Sequence, residues 1–515
     1  MDFQSKNGHR SKSPSPDLEE GIAPGVLRGV HQRELEGTEK SSASSPKPDV
    51  VYIEWEQGDP RNPANYSYVR KWVITLTAAG MTGLSAAAAS TYALGYPSMI
   101  KDLNCTQFQA TLGLSLYPLG FGVVPLFTAA LSEEFGRQPL YLFSTLIFLL
   151  THLGIALSKN IQSVLIFRFI AGAAGSTGAT MVGGTVADIW SPKERGVPMS
   201  IFAMAAIGAT GLGPAGAGWI EMDHKLEWRW IQWIHLIVTA VYFAIMPFAM
   251  KETRSTVLLT RVARKMRRKT GDPRWRARAE DERGSLSHLI YISCTRPLRL
   301  LLTEPVVASF SLWISFAWGI LYALIESVSP AFKQLHHFNQ GETGTAFLTL
   351  FIGSVLGYIT NLYQERIYQK RFPFKHQEAR LYAACFSAIL FPVAVFIYAW
   401  TSFENVHWMG MAIGITLFIW ALFAMYLSVF TYLADCYGPY ASSALAGQSL
   451  CRNVFGTIFP LFTTQMYDRL GFPRSSTLFA CIAILMAPIP FVLFRWGPQI
   501  RSHSKFAKHV PAFGS

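Results

Sequence analysis

The chain has 515 residues, of which 50% are hydrophobic, 14% aromatic and only 15% charged, where an ordinary soluble domain carries about 25% charge. So little charge over so long a chain excludes a soluble enzyme and a disulfide-stapled secreted domain. Lys and Arg number 45 against 32 Asp and Glu, a net +13; a soluble protein with that balance would suggest nucleic acid, and here it asks on which side of a membrane the cations fall.

In chain order, residues 1–68 are rich in Ser, Pro, Gly and charge, which predicts a disordered cytosolic tail. No apolar stretch near Met1 marks a cleavable signal peptide. Six apolar segments follow, over 72–94, 108–131, 139–157, 163–186, 197–220 and 230–250, then a basic loop over 251–303. Six more lie over 306–329, 343–363, 380–401, 408–433, 442–466 and 475–497, before a cytosolic tail over 498–515. Most are about 20 residues long, enough to cross a ~30 Å hydrocarbon core as helix. The domains expected are therefore the tail, a first half over 69–250, the loop, a second half over 304–497 and the closing tail.

With both ends in the cytosol, 36 of the 45 Lys and Arg lie on that side and seven opposite, leaving Arg168 and Arg452 inside spans. The basic balance is thus topology, and no nucleic-acid partner is expected. The loop's run Arg264–Lys269 reads as a solvated linker, with anionic lipid at the cytoplasmic leaflet as the sharper alternative. The six cysteines show neither paired nor metal-ligand spacing and read as small hydrophobes in a membrane interior.

An internal repeat supports the six-and-six division. Ala187-Asp188-Ile189-Trp190-Ser191-Pro192 follows the fourth span, and Ala434-Asp435-Cys436-Tyr437-Gly438-Pro439 follows the tenth. Duplicated transporter halves carry signatures of this kind.

After the second span comes Leu131-Ser132-Glu133-Glu134-Phe135-Gly136-Arg137-Gln138. This resembles the major facilitator superfamily loop Gly-x-x-x-Asp/Glu-x-x-Gly-Arg-Arg/Lys, with Glu133, Gly136 and Arg137 matching and Ala129 and Gln138 departing. An acid and a cation on such a turn can pair across the two halves and hold a gate, with Asp188 and Asp435 at the equivalent exits. The plainer reading is a polar turn anchoring two helix ends. In the fifth span Gly213, Pro214 and Gly218 resemble an antiporter motif, although close packing and a bend are structural roles in any membrane helix. Arg452-Asn453, Phe459-Pro460-Leu461-Phe462 and Lys251-Glu252-Thr253-Arg254 are similar to the fungal polyamine and multidrug proton-antiporter branch. That resemblance implies an all-α integral membrane protein, twelve transmembrane helices in two six-helix bundles working by alternating access.

Charges inside spans cost several kcal/mol unless paired or hydrated, so Arg168, Glu326, Arg452 and the adjoining Asn453 are the candidates for proton coupling or substrate binding. Arg168 also matches a superfamily arginine tied to proton coupling. Snorkelling to the outer interface is the plainer reading of Glu326, and ion-pairing within the bundle that of Arg452. Tyr322 and Tyr426 are candidates to line an amphiphile or cation site. His152 and His235 read as single structural histidines. Asn104-Cys105-Thr106 is a glycosylation sequon on the outer face.

No Gly-rich phosphate loop, nucleophile–base set or metal cluster stands out, so no enzyme and no cofactor beyond a proton gradient is expected. The implied function is a monomeric, proton-coupled exporter of polyamines, drugs or secondary metabolites. It would sit in the plasma membrane, with the vacuolar membrane as the alternative. One buried acid against two buried arginines keeps an anionic-metabolite exporter open; a non-transporting membrane sensor is the reading from another class.

Overall fold

The computed structural model describes residues 50–191, 194–281, 285–504 and 506–507; the readings made for residues 1–49 and for the last residues of the C-terminal tail lie outside them. The described chain is mostly helical and divides into two compact units. One comprises the described parts of Met1–Ser67 and Thr253–Gly284, the other Tyr68–Glu252 and the residues from Ser285 onward.

The first half of the larger unit begins with α1 (Tyr68–Thr91), which continues through a 3-10 turn at Tyr92–Gly95 into α2 (Tyr96–Asp102). Then come α3 (Gln107–Val123), α4 (Pro125–Phe135), α5 (Arg137–Ala156), α6 (Ile161–Ile189), α7 (Gly196–Met222) and α8 (Glu227–Ala249). Thr106 and Gln109 form a capping box that starts α3, and Asn160 caps α6 through the Ser163 N–H at 2.9 Å. Pro125 opens α4, and α3 and α4 meet at a 42° bend.

The smaller unit is built from both sides of this half in sequence. Strand β1 (Val51–Tyr52) pairs in parallel with β2 (Trp275–Arg276). Helix α9 (Ser255–Thr270) turns Ala263 and Met266 onto Ile53 and Ala277, and Gly271 ends it in the left-handed conformation. The short α10 (Arg278–Asp281) supplies Glu280, which Arg267 holds by two bonds of 2.8 Å. Residues 50–67 were expected to be unstructured; they are ordered because their apolar partners lie two hundred residues away. The expected basic loop likewise carries helices, including α11 (Leu286–Thr303), which packs on α4.

The second half contains α12 (Pro305–His336), α13 (Gln340–Ala346), α14 (Leu348–Lys375), α15 (Tyr382–Thr401), α16 (Met409–Tyr437), α17 (Ala441–Met486) and α18 (Pro488–Ser502). Nine helical stretches among the described residues are long and apolar enough to cross a membrane, ten if bent α3–α4 is one span. Two of them, Gln340–Thr401 and Ala441–Ser502, run 62 residues each. At 1.5 Å per residue each is roughly three times a ~30 Å crossing. Each is also interrupted by positive-φ backbone, at His376 (φ 48) and Gly471 (φ 77). Each therefore gives two helical segments, one on either side of its break.

Helix α12 is the most enclosed of these stretches, and α8 the least. Ile237, Val241, Ile245 and Phe248 of α8 are exposed, as a lipid-facing helix requires. The halves meet where α7 packs on α13 and α14 and where α3 packs on α17. Gly218 allows that approach: a Cβ there would lie 2.6 Å from the Gln340 carbonyl oxygen.

Candidate functional site

Glu326, toward the C-terminal end of α12, is 6% exposed and does not snorkel. Thr111 of α3 donates to its Oε1 at 2.7 Å, Thr464 of α17 to the same oxygen at 3.4 Å, and Tyr96 of α2 to Oε2 at 3.1 Å. These hydroxyls are drawn from both halves, and the Gln107 side-chain amide of α3 joins them at the carboxylate. Sequence reading selected Glu326 but missed all three, because a lone Thr or Tyr in an apolar span carries no signal.

Arg168 is fully buried. Its Nε donates to the Gly113 carbonyl at 3.0 Å, Nη1 to Ala88 at 2.9 Å and Nη2 to Ala89 at 3.5 Å. Its Cζ lies 4.2 Å from the Tyr92 ring centre and 4.5 Å from that of Tyr117. Tyr92 in turn meets Tyr96 edge-on at 5.6 Å. One continuous path of contacts therefore runs from Arg168 through Tyr92 and Tyr96 to Glu326.

Arg452 on α17 is stacked in a similar way, 4.3 Å from Trp318 and 5.0 Å from Tyr426. Ion-pairing within the bundle was its plainer reading, but no carboxylate meets it among the described residues. Asn453 binds the Ser449 carbonyl at 2.8 Å and packs on α3, where a Cβ at Gly122 would come within 2.8 Å of its own Cβ. Tyr322 stands beside Gly456 on the same helix pair. Glu326, Tyr322, Arg452 and Tyr426 therefore line one region, while Asn453 belongs to the seam between halves.

The two histidines are not single. His152 and His235 stack at 5.1 Å with rings 13° apart, held by Gln232 at 2.9 Å and Thr91 at 3.0 Å. Eighty-odd residues of intervening chain hide such a pair from sequence reading.

At the turn from α4 into α5, and at its counterpart in the second half, the loop residues form latches. Gly136 adopts φ 97, and a Cβ on it would meet Glu252 Oε2 at 2.2 Å. Glu252 accepts the backbone N–H groups of Arg137 at 3.0 Å and Gln138 at 3.3 Å, so a carboxylate caps the start of α5. The Arg137 side chain was expected to pair across the halves; its Nε instead meets Asp188 at 2.6 Å, inside the first half. Glu133 stands at an exposed position on α4. The second half repeats the motif: Arg380 meets Asp435 at 3.1 Å and Glu365 at 2.7 Å. Glu378 there binds Arg501 and Tyr432. The repeated Asp188 and Asp435 thus do equivalent work.

In the antiporter-like motif, a Cβ at Gly213 would come within 2.9 Å of Thr91 on α1, while Pro214 and Gly218 face Gly344 of α13. Helix α7 therefore seats against both halves. Asn104 is exposed in the loop after α2, with φ 47.

A model of the Major Facilitator Superfamily matches residues 78–454. An MFS-type efflux pump of Trichophyton rubrum is 34% identical over 91% of this chain and 80% of that protein. A multidrug transporter of Aspergillus fumigatus is 32% identical over 91% and 78%, and the Fluconazole resistance protein 1 of Saccharomyces cerevisiae 31% over 92% and 88%. Among solved structures, the proton:xylose symporter XylE superposes with a TM-score of 0.61 over 84% of this chain and 96% of that one. At 14% identity that likeness bears on the fold alone.

Proposed function

The chain belongs to the major facilitator superfamily and is a multi-pass membrane transporter, not an enzyme; from that premise we propose that it exports small molecules in exchange for protons by alternating access. The observation that carries this reading is the company Glu326 keeps. A guanidinium or a backbone N–H can only donate, so it suits a carboxylate and leaves a protonated acid badly served. A hydroxyl donates or accepts. Thr111, Tyr96 and Thr464 can therefore serve Glu326 in either state, one of them reversing to accept its proton.

The acids at the cytosolic ends differ, since Asp188, Asp435 and Glu378 each face an arginine. Glu326 is the acid suited to gain and lose a proton within the cycle. Because Tyr96 and Thr111 belong to one half and Thr464 to the other, rocking of the halves changes its partners and its access to water.

The relatives' names as efflux pumps and multidrug transporters support outward movement of a small molecule. The cation asymmetry supports both termini in the cytosol, and we assign the chain to the plasma membrane as a monomer driven by the proton gradient without a cofactor. The two halves are residues 69–250 and 304–497, and the exposed Asn104 is the expected glycosylation site. Glu326→Gln in reconstituted vesicles should abolish efflux driven by an imposed pH gradient while melting like the wild type. Undiminished gradient-driven efflux would remove Glu326 from the mechanism.

A further inference from the structure

Along α12, Ser311, Trp318, Tyr322 and Glu326 recur at spacings that place them on one face. Contacts show which helix this face meets. Trp318 lies against Arg452, Tyr322 against Gly456 and Glu326 against Thr464, all on α17. The matches rise together along both chains, so α12 and α17 run parallel here. Gln448, one turn before Arg452 on the same face, then falls near the level of Ser311.

The buried atoms in this stretch without a hydrogen-bond partner include Arg452 Nε, Gln448 Nε2, Ser311 Oγ and Ser315 Oγ. Arg452 is 7% exposed and Gln448 3%. Apart from the two aromatic faces, the Arg452 guanidinium has a 3.5 Å contact from Nη2 to Ser449. Its Nε–Nη2 edge is the one on which a carboxylate or carbonyl seats with N–H···O bonds. Nitrogen donors buried without acceptors are costly until an acceptor arrives. A cationic guest would meet a like charge here and satisfy none of them.

We propose that Arg452 and Gln448 form the cargo-docking edge of this transporter, and that it takes molecules presenting a carbonyl or carboxylate acceptor and carrying no fixed positive charge. This rests on the transport reading above but not on its proton step. Polyamines then fall outside its cargo. Trp318 and Tyr426 lie against the guanidinium at 4.3 and 5.0 Å, so it is held in place before the guest arrives.

Fluorescein and rhodamine 123 test this as a pair, because they share a xanthene skeleton and differ in charge: the first bears a carboxylate, the second is a cation. Binding of each dye to the purified full-length protein is read by fluorescence anisotropy, with no proton gradient present. Fluorescein should bind at least about tenfold more tightly than rhodamine 123. Arg452→Gln should weaken fluorescein binding roughly 10- to 100-fold, as expected for losing a charged hydrogen-bond donor. Arg452→Lys keeps the charge without the fork and should lose about tenfold. Gln448→Leu should lose about three- to tenfold.

Equal or tighter binding of rhodamine 123 would overturn the proposal. So would unchanged fluorescein affinity in an Arg452→Gln protein that melts like the wild type. If that variant does not fold, the same reading applied to Arg452→Lys and Gln448→Leu decides. Glu326→Gln should still bind fluorescein while losing gradient-driven efflux, so failure of the docking edge and failure of the proton step give different results.

Discussion

Each half of the membrane unit buries one arginine against two aromatic rings, and the two are treated in opposite ways. Arg168 spends its donors on three backbone carbonyls of neighbouring helices. Arg452 keeps Nε unpartnered and meets its own helix weakly. The same side chain, similarly stacked, is a tie in one half and an open hand in the other. What distinguishes them is hydrogen-bond satisfaction rather than burial, since both are well enclosed.

The sharpest way to break this contrast is to truncate both. Arg168→Ala strands three carbonyls and should cost about 3–5 kcal/mol, seen as collapsed yield and a lower melting temperature in detergent. Arg452→Ala removes an already under-served donor and should cost about 1 kcal/mol or less. A larger loss of stability for Arg452 would reverse their assigned roles.

The latches extend the comparison. Gly136→Ala forces a Cβ into Glu252 at a backbone conformation with φ 97, and about 2–3 kcal/mol of destabilisation is expected. The second half places His376 at φ 48 near its corresponding turn. There His376→Gly should raise the melting temperature, by about 1 kcal/mol in stability. A gain at Gly136→Ala would show that the turns are not built as described.

Asp188→Asn should cost about 2 kcal/mol, because it removes a carboxylate 2.6 Å from Arg137. Asp435→Asn should cost about 1 kcal/mol, because Arg380 retains Glu365. Equal melting shifts for the two would mean that Glu365 contributes nothing.

The smallest effect lies outside both halves. Hydrogen bonds from Arg267 hold the Glu280 carboxyl below its usual value, against the opposing effect of its partial burial. The stability this contributes is complete above the ordinary glutamate range near about pH 4.3 and is lost as pH falls through the lowered value. Amide exchange around β1 and β2 should therefore accelerate only on the acid side of about pH 4, and Glu280→Gln should remove that dependence.

Much of the fold was legible in the sequence because a bilayer imposes length and apolarity on each crossing. The candidate charges were legible for the same reason: Arg168, Glu326 and Arg452 violate the local pattern. Their partners were not. Tyr96 and Thr111 lie more than two hundred residues from Glu326 in sequence, and hydroxyls cost too little in a membrane helix to announce themselves. The Arg137 gate was misassigned across the halves because a turn motif names its residues but not their tertiary direction. The repeat, by contrast, did locate the aspartates that meet Arg137 and Arg380.

The pairing of Val51–Tyr52 with Trp275–Arg276 has a temporal meaning. One strand precedes the first span and the other follows the sixth, so their clasp ties the intervening chain into a ring. A ribosome has delivered both strands before it makes any span of the second half. The first half can thus be tied off as an apprentice piece, finished while its twin is still unwritten. Duplicated bundles offer one another near-matching surfaces, and misassembly between them is a failure mode of repeated architectures.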